Sequence, residues 1–127
     1  LVLEKSYRKI REIITQKEAF HMVSNDTDME NFTPNPQAYY FREGKNLVWY
    51  EPRGYSLEMF GVVMHRPKKP VSKVYKQWEY LKGLGFYSVY ATVDKNNLKS
   101  AIMCRAFGMS KIECEGSKNI YKRVIYG

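Results

Sequence analysis

Between positions 66 and 82 the chain carries Arg66, Lys68, Lys69, Lys73, Lys76 and Lys82, opposed only by Glu79. A cationic run of this kind is either a solvated face or a cradle for phosphate, from a nucleotide cofactor or from nucleic acid. A second stretch, DKNNLKSAIMCRAFGM at residues 94–109, follows an aromatic, β-like run. Asn96 or Asn97 has the side chain to cap a helix there. Ala101, Ile102, Cys104 and Ala106 would form its interior, and Gly108 would stop it. Metal chemistry finds no support. His21 and His65 are far apart, and Cys104 and Cys114 match neither a C-x-x-C pair nor a zinc cluster. Two unpaired cysteines fit a reducing, cytoplasmic compartment. No G-x-S-x-G, Walker loop, H-E-x-x-H or Cys-His pair in a recognisable context offers another reaction.

These residues need a scaffold, and the chain has the composition for one. It is 127 residues long, 44% hydrophobic and 15% aromatic, with 21 Lys and Arg against 13 Asp and Glu for a net charge of +8. That is enough to bury a core, and a single domain over 1–127 is expected. No apolar run approaches the ~20 residues that span a bilayer. The N-terminus, LVLEKSYRKIREII, carries acids and turns into a charged helix rather than reading as a signal peptide. It lacks an initiator Met.

Residues 4–23 place Tyr7, Ile10, Ile13 and Ile14 on one helical stripe. FTPNPQ is a loop by its prolines. AYYFRE, NLVWYE and YSLEMFGVVMH follow, cut by Gly44-Lys45 and Pro52-Arg53-Gly54, and read as three consecutive antiparallel strands. From Pro70 the period changes: Val71, Val74, Tyr75, Trp78 and Leu81 fall at helical spacing, and Gly83 and Gly85 end the helix. FYSVYATV is a strand, the capped helix comes next, and SKIECE and NIYKRVIY form a hairpin about Gly116. Helices are interleaved only in the second half, so the class is α/β or α+β with a mixed sheet.

This element order, with the register Asn97, Ser100, Cys104, Gly108, Met109, resembles the GNAT superfamily of N-acetyltransferases. The family carries Asn, a small residue, a Tyr, then Gly-Phe at those steps; here Ser100 is the small residue, Cys104 replaces the Tyr and Met109 the Phe. The resemblance covers nearly the whole chain and looks closest to diverged, phage-type members. Its first strand would fall at LVLE or be missing. It implies a mostly antiparallel sheet flanked by helices, with a splayed central parallel pair made by residues 57–65 and 86–93. Gly61 would mark a bulge there.

The resemblance also implies acetyl-coenzyme A as cosubstrate and an amine-bearing small molecule or protein as acceptor, attacked directly. The family's Gln/Arg-x-x-Gly-x-Gly/Ala loop holds the coenzyme pyrophosphate on backbone N–H groups and a helix N-terminus. Here the stretch runs from Arg66 to Lys73. Arg66 matches, but the glycines are absent and Pro67 and Pro70 lack N–H donors. Arg66, Lys68, Lys69, Val71, Ser72 and Lys73 are then the candidate phosphate contacts, with Asn97 and Ser100 at the next helix. Backbone N–H near Val62 or Val63 would hold the oxyanion. Glu58, among Leu57, Met59 and Phe60, would be the base, its pKa raised by apolar neighbours. Cys104 would protonate the leaving thiolate. Two other functions stay open: a GNAT-shaped binding protein without catalysis, suggested by the missing glycines, and a basic nucleic-acid-binding domain.

Overall fold

The computed structural model describes residues 13–14, 35–43, 46–62 and 70–126. The strands are β1 (Ile13–Ile14), β2 (Tyr39–Glu43), β3 (Asn46–Arg53), β4 (Ser56–Val62), β5 (Ser88–Asp94), β6 (Ser110–Glu115) and β7 (Lys118–Val124). The helices are α1 (Pro70–Gly83) and α2 (Leu98–Ala106). All strands join one sheet in the order β1-β2-β3-β4-β5-β7-β6. Every pairing is antiparallel except β4 with β5. This is the mixed, mostly antiparallel α+β sheet that the element order implied.

Two expectations change. Ile13 and Ile14 form a strand within the span expected to be helical, pairing with Phe41 and Tyr40 of β2. An Ile-Ile pair fits a strand as well as a helical stripe, and tertiary pairing decided it. The rest of that expected helix and the LVLE segment lie outside the described residues. The second change concerns Gly61. The β3–β4 register runs unbroken from Arg53↔Ser56 to Leu47↔Val62, so β4 carries no bulge there. A Cβ on Gly61 would meet Leu47 O at 3.6 Å and Val48 Cγ2 at 3.9 Å, ordinary contact that does not require glycine.

Strand alternation puts Tyr50, Leu57, Val89, Ala91, Val93 and Tyr121 on the face that packs against Val74, Trp78 and Leu81 of α1. Each of those helix side chains stabilises the fold by roughly 1.5–3 kcal/mol through burial. Pro70 opens α1 at the first helical position, where its missing N–H has no intrahelical use. Met109, Phe107 and Cys104 fold α2 onto the same core. Arg123 of β7 pins the turn after α2. Its guanidinium lies over the Tyr75 ring (4.8 Å to the centroid) and donates to Tyr75 Oη (2.8 Å) and to the Phe107 carbonyl (2.9 Å). Gly108 passes beside it at φ +79°, where any Cβ would run into that guanidinium. That close approach is why the capped helix ends on glycine.

Candidate functional site

The parallel pair is zipped at one end only. β4 meets β5 at Ser56↔Ser88, Leu57↔Val89 and Glu58↔Tyr90, and the two serine hydroxyls hydrogen-bond at 2.7 Å. Past Glu58 and Tyr90 no rung joins the strands among the described residues. The backbone groups that further rungs would have used are left facing a gap.

A cavity of about 320 Å³ occupies this gap and continues under the helices. Met59, Phe60 and Gly61 of β4 form one wall, and Ala91, Thr92 and Val93 of β5 form the other. Ser100, Met103 and Cys104 close it from α2. Pro70, Lys73, Val74 and Gln77 close it from α1, and Arg42 and Asn46 add polar groups from β2 and β3. The walls are apolar at depth. Lys73, in the first turn of α1, brings charge to the end where the helix begins.

The expected site residues distribute unevenly. Cys104, Ser100 and Lys73 line the cavity. Asn97 caps α2, its Oδ1 accepting from Ser100 N at 3.1 Å, so the capping reading holds. Val71 is half-buried against the core and Ser72 is exposed on the first turn of α1. Val62 ends β4, its backbone paired with Leu47. Val63, Arg66, Lys68 and Lys69 lie outside the described residues. At the helix itself, Pro70 removes only one N–H, and the amides of Val71 and Ser72, in the first turn, have no intrahelical acceptor.

Glu58 does not line the cavity. Alternation turns it to the opposite face of the sheet from Leu57 and Met59, at the rung where the gap opens. There Arg53 Nη2 bonds both Glu58 of the neighbouring strand (3.3 Å) and Glu51 of its own strand (3.2 Å). Burial would raise the Glu51 carboxyl. Hydrogen bonds from Asn35, Trp49 and Arg53 outweigh it and hold the group below its ordinary value. Burial, and then the Glu58 carboxylate, push the Tyr90 phenol up. On the cavity side, burial pushes the Cys104 thiol up to about 11, so it stays protonated at neutral pH.

Sequence reasoning missed Arg42 and Gln77. Gln77 is 5% exposed, on the buried stripe of α1 between Val74 and Trp78. The signal was present as a polar residue inside an apolar stripe. Among the described residues no helix is long and apolar enough to cross a membrane.

No family model and no curated protein matches the sequence. Solved structures do match in shape. The GNAT domain of S. lividans PAT superposes with a TM-score of 0.68 at 15% identity, covering 88% of each chain. A variant of the spermidine N-acetyltransferase SpeG from Vibrio cholerae gives 0.67 at 13% identity, over 90% of this chain and 92% of that one. A GNAT-family acetyltransferase from Bacillus anthracis gives 0.60 at 14% identity, over 85% and 88%. At these identities the likeness is one of fold, and the fold is that of the GNAT acetyltransferases.

Proposed function

We propose that this protein transfers an acetyl group from acetyl-coenzyme A to an amine. The observation that carries the reading is the one-ended β4–β5 pair with its cavity. An extended arm bearing amides can add to two unpaired strand edges as a short strand would, its apolar stretches against Met59, Ala91 and Val93. The free amides at the start of α1, with Lys73 and Arg42 at the cavity wall, suit the phosphates at the other end of that arm. Val71 and Ser72 take part through that turn, and Arg66, Lys68 and Lys69 would add charge from the connecting loop. Ser100, which lines the cavity, and Asn97, which caps the same helix, would add polar contacts.

The amine approaches from the Glu58 face. Glu58 leaves the sheet at the last rung, on the side away from the helices, so donor and acceptor meet across the gap. Its carboxylate takes the amine proton, and Arg53 orients it. The developing oxyanion would be held by a gap-facing backbone N–H of β4 near Val62 or Val63. Cys104 supports the departing thiolate weakly. A thiol held near 11 is a poorer acid than an ordinary thiol of ~8.5, so water competes well with it as proton source. The same observation favours a second reading, a protein that binds the donor without turning it over. A thermal-shift titration with acetyl-coenzyme A, followed by an acetylation assay on simple polyamines and amino sugars, tests both. Ligand at a hundred times its dissociation constant stabilises by about 2.7 kcal/mol, several degrees for a chain of this size. A shift without turnover supports the second reading, and no shift at millimolar ligand defeats both.

A further inference from the structure

Gln77 is a buried amide whose orientation its neighbours dictate. Trp78 Nε1, which can only donate, gives its proton to Tyr50 Oη at 3.1 Å. Tyr50 Oη in turn lies 2.6 Å from Gln77, a separation ordinary for O–H···O and short for N–H···O. The hydroxyl therefore donates to Gln77 Oε1. The side-chain Nε2 is turned the other way, with two N–H donors. Gln77 lines the cavity and is 5% exposed, and among the described residues nothing accepts from Nε2. Two buried donors without an acceptor are costly, and the relay from Trp78 through Tyr50 holds them that way round.

Gln77 also sits at a telling depth. It lies seven residues into α1 from Pro70, about 10 Å along the helix axis from the end where phosphates would bind. Val74 and Met59 make the surrounding wall apolar. A lone pair of donors there selects a ligand with one carbonyl oxygen at that depth over a purely aliphatic one.

We propose that Gln77 is a recognition residue for the amide-bearing arm of the acyl donor, its Nε2 donating to a carbonyl oxygen of that arm. This rests on the donor reading above and adds the residue that tells an amide-containing arm from a plain alkyl chain. Calorimetric titration of the full chain with coenzyme A and with adenosine 3′,5′-bisphosphate, which keeps phosphates but lacks the arm, tests it. Gln77→Met should weaken coenzyme A about tenfold and leave the bisphosphate unchanged. Gln77→Glu keeps an acceptor for Tyr50 while removing the donors, and should weaken coenzyme A as well. Unaltered coenzyme A affinity in Gln77→Met would overturn the inference while leaving the donor reading intact. Equal weakening of both ligands would overturn it too, because the change would then act through the fold. Failure of the unmodified chain to bind coenzyme A would overturn the donor reading and this inference together.

Discussion

The two edges of β5 are built differently. Toward β7 the strand is paired along its whole length, from Ser88↔Val124 to Asp94↔Lys118. Toward β4 it is paired only at Ser88, Val89 and Tyr90. One edge is closed by side chains as well, since Arg123 of β7 reaches across to Tyr75 and Phe107. The other is left open over a cavity. A strand satisfied on one side and half-satisfied on the other teaches where stability and function are separated. The β7 edge holds the fold together, and the β4 edge offers backbone groups to a ligand.

That division can be broken from either side. The largest effect should come from filling the open edge. Gly61→Phe places a ring toward the cavity at a site where a Cβ meets only ordinary contacts. Coenzyme A affinity should fall by about a hundredfold or more while the melting temperature stays within a few degrees. A large loss of stability would mean that the open edge also carries the fold. Next comes the rung where the edges part. Glu58→Gln should lower kcat on an amine acceptor about a hundredfold without altering the donor-induced thermal shift, because the carboxylate faces the acceptor side. Equal losses in both would place Glu58 in donor binding.

The closed edge should respond in the opposite sense. Gly108→Ala combines φ +79° with the Arg123 guanidinium in its path. We expect a loss of about 2 kcal/mol and a melting temperature lower by roughly 6–10 °C, with donor affinity in the surviving folded protein unchanged. The smallest effect concerns pH. The Glu51 carboxyl is held below its ordinary value in the fold, so its contribution is fully present above ~4.3 and is lost as pH falls through the folded value. Denaturant midpoints measured from pH 6 to pH 3 should therefore fall less steeply in Glu51→Gln. Parallel curves would show that its bonds to Asn35, Trp49 and Arg53 carry no net stability.

Much of this division was legible in the sequence. Alternation in NLVWYE and FYSVYATV and the stripe Val74, Trp78, Leu81 gave the strands and α1. The resemblance supplied the parallel pair. Period alone misjudged Ile13–Ile14, because a doublet of isoleucines satisfies helix and strand templates alike. Gly61 suggested a bulge because strand glycines often mark one, yet the splay arises between β4 and β5, a register that no local pattern encodes. Gln77 reads in the sequence only as a polar residue inside an apolar stripe. Its meaning depends on Tyr50, twenty-seven residues earlier, and appears only once both are buried together. The Arg53 bridge to Glu51 and Glu58 likewise follows from the Pro52↔Leu57 hairpin register, which residue types do not announce.

The claim that the β4–β5 gap receives the donor as an added strand is most directly tested by amide hydrogen exchange, with and without coenzyme A. Within 59–62 and 91–93 the amides that face the gap, rather than β3 or β7, should gain protection on binding, while 118–124 should stay as they were. Binding that left 59–62 and 91–93 unprotected, or that protected only surfaces away from the gap, would contradict it.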